Sequence, residues 1–503
     1  MDWCCCSVLT WRENFNYFIN FNDFIMSMKI RTLLVGLMIP ALGFAQEFQL
    51  KTQELSKPDN VPAPCHPVPH ERQILWNETE FYAFFHYGMN TFTGKEWGFG
   101  DEAESIYAPK GMPNPEQWVT SVKAAGMNGG IAVVKHHDGF CLWPTKTTEH
   151  SVVHSPWREW QGDVVRELSE ACRKHDMKFG FYLSPWDRNA VSYGDSPAYN
   201  ALFITQLTEL LTNYGRVDEV WLDGACGEGP NGKRQVYDWE SILATINTLQ
   251  PHAVTAIMGD DIRWVGNEGG RGRVTEWSAT PYTPLSYKGG HKANSTLGLE
   301  EMSADLGSRE LISRANGVYW YPSEVDVSIR PGWFYHEVEN DAVRTLKNLV
   351  DIYYTSVGRN SVLLLNVPPD RRGLIHDIDA KRIEDFGRYI ADNFSVSRIS
   401  GTVRTWHAEA GDSREYKVKK GKRINTILLQ EDIRRGQRVE CFTVDAYIDG
   451  SWQIIAEGTT IGYKRLIRCE ECEAERLRIT INECRATANI SNVAAYCATE
   501  IEE

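Results

Sequence analysis

The stretch Glu219-Val220-Trp221-Leu222-Asp223-Gly224-Ala225 decides how this chain is read. Val220, Trp221 and Leu222 form a short apolar run, the pattern of a parallel strand buried on both faces. Asp223 follows directly, and Gly224 breaks the strand. A carboxylate at the C-terminal end of a strand stands where α/β barrels carry their chemistry. The same Asp would also suit a helix cap or a loop, and this stretch alone does not separate the two.

Working outward from it, strands alternate with helices. Upstream lie strands at Phe81–Tyr87, Gly130–Val134 and Phe179–Leu183, with helices at Pro115–Ala125, Asp163–His175 and Ser196–Tyr214 between them. Downstream, a helix over Trp239–Leu249 leads to a strand at Ala253–Met258. The pattern then weakens. A sixth strand is expected at Val274–Trp277 and a seventh at Gly317–Tyr321. A helix over Asp341–Ser356, a strand over Ser361–Asn366 and a helix over Lys381–Asn393 finish the cycle. About eight such units imply a closed parallel sheet, a (β/α)8-like barrel over residues 46–394. After Phe394 helical periodicity disappears. Short alternating runs such as Asn425–Leu429, Gln437–Ile448 and Arg476–Ile481 point to an antiparallel β-sandwich over residues 395–503. No linker separates the two, so the sandwich should pack on the barrel.

Composition narrows the class. A chain of 503 residues is long for one ordinary domain and suits a barrel with a smaller companion. A net charge of -14 excludes a nucleic-acid or anionic-membrane partner, because either needs a basic stripe. Residues 1–45 read as a leader. Met28-Lys29-Ile30-Arg31 is a basic start, Thr32–Leu42 an apolar run too short to span a bilayer, and Gly43-Phe44-Ala45 a cleavage site. The expected product begins at Gln46 and is exported, periplasmic or secreted. Met1–Ser27 has no such logic and reads as an over-extended start. Of twelve cysteines, Cys4, Cys5 and Cys6 fall in that start. Cys141, Cys172 and Cys226 read as core residues. Cys469-x-x-Cys472 lacks the second close pair of a zinc ribbon, and one or two disulfides are expected in the sandwich.

The strand ends collect one ring of polar and aromatic side chains: His86, Glu96 and Trp97, His136 and His137, Tyr182, Asp223, and the loop after the fifth strand. Each has a bland structural reading; their concentration on one barrel face is the stronger signal. The loop Asp260–Gly270 holds Glu268 beside Trp264 and Val265. Apolar neighbours and a nearby carboxylate would both raise its pKa and keep it protonated. Asp223 and Glu268 would then make the carboxylate pair that glycoside hydrolysis requires. Glu276 is the rival acid and Glu324 the next candidate.

Phe85-His86-Tyr87-Gly88, Gly94-Lys95-Glu96-Trp97, Lys135-His136-His137-Asp138-Gly139-Phe140, Tyr182-Leu183-Ser184 and Val220–Gly224 resemble the α-L-fucosidases of glycoside hydrolase family 29. The resemblance runs from about Phe81 to Asn366. It implies a retaining mechanism with Asp223 as nucleophile, and fucose binding by His86, Glu96, Trp97, His136, His137 and Tyr182. Leu183-Ser184-Pro185-Trp186-Asp187-Arg188 and Arg263-Trp264-Val265-Gly266-Asn267-Glu268 are similar to the family's regiospecific branch, as are Pro322–Asp326 and Arg330-Pro331-Gly332-Trp333. That branch prefers fucose linked α-1,3 or α-1,4 within Lewis-type glycans, and in it the Glu matching Glu268 is the acid/base. Trp186, Asp187, Arg263 and Trp333 join the expected substrate contacts. The expected partner is a fucosylated oligosaccharide, with no cofactor, no metal and no membrane span. Other readings are a broad-specificity fucosidase, a metal-dependent barrel hydrolase using His136, His137 and Asp223, and a non-catalytic glycan-binding barrel. Against the metal, adjacent histidines on a regular strand should diverge.

Overall fold

Apolar runs of four to seven residues become the strands of one parallel sheet: β1 (Phe81–Phe85), β2 (Gly129–Lys135), β3 (Lys178–Leu183), β4 (Glu219–Leu222) and β5 (Val254–Ile257). The computed structural model describes residues 62–502, so the leader and the Pro-rich approach before residue 62 lie outside the described residues. The sheet continues through β6 (Arg263–Trp264), β7 (Ser323–Ser328) and β8 (Val362–Asn366), in the order β5-β4-β3-β2-β1-β8-β7-β6. Every ladder in it is parallel. Together they wrap into a barrel whose seam lies between β5 and β6, where Ile262 N donates to Thr255 O at 3.1 Å.

Helices α1 (Pro115–Ala124), α2 (Val164–Lys174), α3 (Ser196–Asn213), α4 (Trp239–Leu249), α5 (Leu346–Thr355) and α6 (Asp377–Phe394) cover the outside. Their starts are fixed by side-chain caps: Asn114 with Pro115 at the first turn of α1, Asp163 on α2, Asp238 on α4 and Thr345 on α5. Outward-facing strand residues such as Val220, Val325 and Leu363 meet these helices in one continuous core.

Two expected strands lie elsewhere. Val274–Trp277 is loop; the sixth strand is the two-residue β6, ten residues earlier in the chain. Within Gly317–Tyr321, Tyr319 and Trp320 pair antiparallel with Ala279 and Thr280 outside the barrel, and the seventh strand starts at Ser323. Its inward residues Glu324, Asp326 and Ser328 are polar, so it carries no apolar run to find. The start expected at Asp341 is a 3-10 turn over Glu337–Ala342, and α5 begins at Leu346.

The C-terminal part is a sandwich of two four-stranded antiparallel sheets. With β9 (Trp406–Ala408), β10 (Ser413–Lys417), β11 (Arg423–Glu431), β12 (Val439–Ile448), β13 (Ser451–Gly458), β14 (Arg465–Glu473), β15 (Arg476–Cys484) and β16 (Ala488–Tyr496), the orders are β9-β16-β11-β14 and β10-β15-β12-β13. Alternate residues, among them Ile427, Leu429, Val444 and Ile479, fill the space between the sheets. The sandwich packs on the barrel: Leu428, Leu466 and Tyr496 join the barrel's outer core, and Tyr354 shares a 2.9 Å hydroxyl contact with Thr426. All nine cysteines among the described residues are unpaired, so the expected sandwich disulfides are not formed here. Cys141 and Cys172 are buried, but Cys226 is exposed, because it lies in the loop beyond Asp223 rather than in a strand or helix.

Candidate active site

The ends of β1, β2, β3, β4, β6 and β7 open into one cavity of about 600 Å3. Asp223 sits one residue past β4. Its Oδ1 accepts from Ala225 N at 2.8 Å and its Oδ2 from the Tyr182 hydroxyl at 2.7 Å, so both oxygens have fixed directions. His137 Nε2 stands 3.6 Å from Oδ2. Beneath them Tyr182 stacks on Trp221, with ring centroids 5.2 Å apart.

His136 and His137 both line the cavity, their rings 4.2 Å apart. The expected divergence fails because β2 ends at Lys135, after a register shift against β3, so neither histidine follows strand alternation. Among the described residues, however, no three His, Cys, Asp or Glu side chains converge to hold a metal ion. The histidines are neutral. Burial pushes His86 down to about 3, His136 well below the ordinary imidazole range, and His137 down as well despite the opposing pull of Asp223. Their tautomers follow from their partners. The amide of Asn366 donates to Ser328 Oγ and Trp333 O, which turns its oxygen to accept from His86 Nδ1 at 2.9 Å. Ser184 donates to Trp186 O, so it accepts from His137 Nδ1 at 2.8 Å and leaves Nε2 as an acceptor.

Of the three candidate acids, only Glu268 lines the cavity. Its Oε2 accepts from Trp333 Nε1 at 3.3 Å. Enclosure by the walls, then the charges of Asp223 and Glu96, push its carboxyl above the usual range against the opposing Trp333 bond. Glu276 is 1% exposed and ion-paired to Arg263 and Arg273, and its main chain is tied to Gln437 and Thr460 of the sandwich. Glu324 lies in the barrel interior with Tyr82, Glu219 and Trp221.

The expected sugar contacts divide. His86, Trp97, His136, His137, Tyr182 and Trp333 line the cavity. Glu96 instead ties two loops together, accepting from Trp333 N at 2.7 Å and His336 Nε2 at 2.7 Å. A Cβ on Gly332 would stand 2.5 Å from that carboxylate, so a side chain there would push Glu96 out of this tie. Trp186 braces the rim: it packs against Trp97 and His137, and its Nε1 donates to Glu228 O. Asp187 is not a cavity residue. It is buried, pairs with Lys135 at 3.0 Å and caps Asn189 N and Ala190 N, because the turn after β3 folds it inward. Arg263 touches the wall, but its Nε is bonded to Tyr321 O and its Nη2 to Glu276 and Trp277 O.

Other wall residues escaped the sequence reading. Tyr237 comes from the loop after β4 and Trp239 from the start of α4, Tyr282, His291 and Glu301 from the segment after β6, and Asp326 from β7. Only Asp326 left a trace, as the last residue of the Pro322–Asp326 stretch that resembles the regiospecific branch.

The α-L-fucosidase family model matches residues 68–394. The chain belongs to the α-L-fucosidase family. It is an α-L-fucosidase, a glycosidase of glycoside hydrolase family 29, and acts on fucosylated substrate. A curated rice relative, putative alpha-L-fucosidase 1, is 40% identical over 464 residues, 86% of each chain. The crystal structure of a putative alpha-L-fucosidase from Bacteroides ovatus is 54% identical, with a TM-score of 0.85 over 88% of this chain and 78% of that one. A Ruminococcus gnavus family 29 fucosidase, solved as a mutant in complex with fucose, is 30% identical with a TM-score of 0.77 over 89% of this chain and 98% of its own. Among the described residues, no helix is long and apolar enough to cross a membrane.

Proposed function

We propose that this fucosidase is a retaining exo-enzyme that removes terminal α-1,3- or α-1,4-linked L-fucose from branched, Lewis-type glycans. The observation that carries the mechanism is that Asp223 and Glu268 face one cavity, with the Glu268 carboxyl raised by its surroundings. Asp223 attacks the anomeric carbon and forms a covalent fucosyl-enzyme while Glu268 protonates the departing oxygen. Glu268 then takes a proton from the incoming water, which releases fucose with its configuration retained.

The walls suit the sugar. Fucose carries a methyl group at C5 and three ring hydroxyls. Phe84, Trp221 and Trp333 offer apolar faces, and the neutral imidazoles of His86 and His137, their Nδ1–H groups bonded to Asn366 and Ser184, each offer an Nε2 acceptor. The Ruminococcus gnavus neighbour, solved in complex with fucose, supports fucose as the ligand. For the leaving group, the cavity adjoins a second basin of about 540 Å3 that shares Tyr282, Leu285, His291 and Glu301. That room, with the Trp186–Arg188 and Arg263–Glu268 stretches, supports a branched acceptor. The leader motif supports export with cleavage after Ala45, which N-terminal sequencing of the secreted chain would check.

Two measurements test the reading. Lewis a and Lewis x trisaccharides should be cleaved far faster than 2'-fucosyllactose, and equal rates would assign broad specificity. Glu268→Ala should lose on the order of 10²–10⁴-fold in kcat/KM on an oligosaccharide but little on α-L-fucosyl fluoride, whose leaving group needs no proton. Azide should then accelerate turnover of the fluoride and yield α-fucosyl azide, because it attacks the β-linked fucosyl-enzyme with a second inversion. Rescue of Glu276→Ala in place of Glu268→Ala would transfer the acid role.

A further inference from the structure

The interior of a (β/α)8 barrel is normally filled by branched aliphatic side chains. Strand β7 departs from that. Val325 and Val327 turn outward into the helix-facing core, so Glu324, Asp326 and Ser328 turn inward. Buried polar groups cost free energy unless they are partnered. Glu324 has Tyr82 and Trp221; Ser328 has Asn366 and Gly332. Asp326 is 3% exposed and lines the cavity floor, where its Oδ1 accepts from Trp264 Nε1 at 2.7 Å.

Trp264 is where β6 ends. This strand has only two residues, and its ladder runs to β7 alone: Arg263 pairs with Ser323 and Trp264 with Glu324. On its other side it has no ladder to β5. The chain then turns at Gly266, with φ +99°, and reaches Glu268 four residues after Trp264. An indole bonded into the barrel floor therefore supplies at the seam a restraint that a second ladder supplies to other strands. Burial also pushes the Asp326 carboxyl well above the usual range against the opposing Trp264 bond, with smaller upward contributions from the charges of Glu324 and Glu268.

We propose that Asp326 is a positioning residue: its carboxyl group clamps the indole of Trp264 and so fixes where Glu268 meets the leaving oxygen. The proposal rests on Glu268 being the acid/base. A misplacement of about 1 Å can cost on the order of 10²-fold, so the effect should be large on substrates that need the acid.

The test compares kcat/KM on a fucosylated oligosaccharide and on α-L-fucosyl fluoride for Asp326→Leu, Asp326→Asn, Trp264→Phe and the Leu/Phe double variant. Asp326→Leu and Trp264→Phe should each lose about 10–100-fold on the oligosaccharide and less than about threefold on the fluoride. The double variant should be no worse than either single one, since both remove the same bond. Asp326→Asn keeps an acceptor oxygen and should restore most of the loss. Equal losses on the two substrates, additive effects of the pair, or no rescue by Asn would each overturn the proposal. If Asp326→Leu does not fold, Trp264→Phe and Asp326→Asn still decide it through the same two substrates. Glu268→Ala is run alongside. Its failure to show leaving-group dependence would sink the acid/base reading itself, whereas a rescued Glu268→Ala with a flat Trp264→Phe would sink the positioning role alone.

Discussion

Asp223 and Glu268 face the same cavity but are held in opposite ways. Asp223 follows a four-residue strand with ladders to both neighbours, Trp221 pairing with Tyr182 on one side and Ala256 on the other. Both its oxygens are bonded. Glu268 follows a two-residue strand laddered on one side, and its carboxylate has one neighbour, Trp333, at 3.3 Å. The position of Asp223, the proposed nucleophile, is thus a property of the sheet. That of Glu268, the proposed acid/base, is a property of side-chain ties: Trp264 to Asp326 below, and Trp333 to Glu96 above. Under the proposed mechanism both groups need aim, so the side-chain ties must supply at Glu268 what the two ladders supply at Asp223.

This contrast can be broken by experiment. Asp223→Asn should have the largest effect, a loss on the order of 10⁴-fold or more in kcat/KM with the thermal unfolding transition nearly unchanged. A substantial loss of stability would show that the strand end depends on its carboxylate. Next comes Glu96→Ala, which frees Trp333 and His336. It should lower kcat/KM on oligosaccharides by about 10–100-fold, and less on fucosyl fluoride, because what it disturbs is aim. An equal loss on both would make Glu96 a direct sugar contact instead.

Glu276→Gln should act on stability instead of rate. Removing one partner of a buried ion pair leaves Arg263 and Arg273 uncompensated and costs about 3–5 kcal/mol. Denaturant unfolding would show it, while turnover per folded molecule stays close to the parent. A selective loss of turnover would return Glu276 to the list of acids. The smallest effect concerns the floor that links the two halves, where Trp221 of β4 donates to Glu324 of β7 at 2.8 Å. Burial raises the carboxyls of Glu219 and Glu324, Glu219 further raised by the charge of Glu324. The folded chain therefore holds protons that the unfolded chain releases. That contribution is complete below the ordinary carboxylate range and is lost as pH rises through the raised values. Tm should fall between about pH 5 and 8, and Glu324→Gln should flatten the slope. An unchanged slope would place the proton elsewhere.

The two halves of the barrel also differ in how far their sequence discloses them. Strands β1 to β5 are runs of buried apolar residues, and the residues just beyond them, His86, His136, His137 and Asp223, were found because a strand end is a local signal. β6 and β7 gave no such signal. One has two residues, and the other turns three polar side chains inward. Asp187 and Arg263 read as sugar contacts because a charged residue beside an aromatic one looks alike whether it faces a ligand or a buried counter-ion. Their partners, Lys135 and Glu276, are 52 and 13 residues away.

The sequence by itself determined that this chain alternates strand and helix into a barrel, adds a sandwich, and sets a carboxylate, paired histidines and a tyrosine on the barrel's C-terminal rim. Those features are written in burial periodicity and in motifs a few residues long. The same motifs already favoured Glu268 over Glu276, whereas tertiary structure alone decided that Glu96 and Asp187 hold loops. It also decided that an aspartate in the barrel floor reaches the tryptophan before the acid loop. Those outcomes depend on contacts between residues far apart in the chain, such as Trp264 with Asp326 and Glu96 with Trp333, and local spacing carries no record of them.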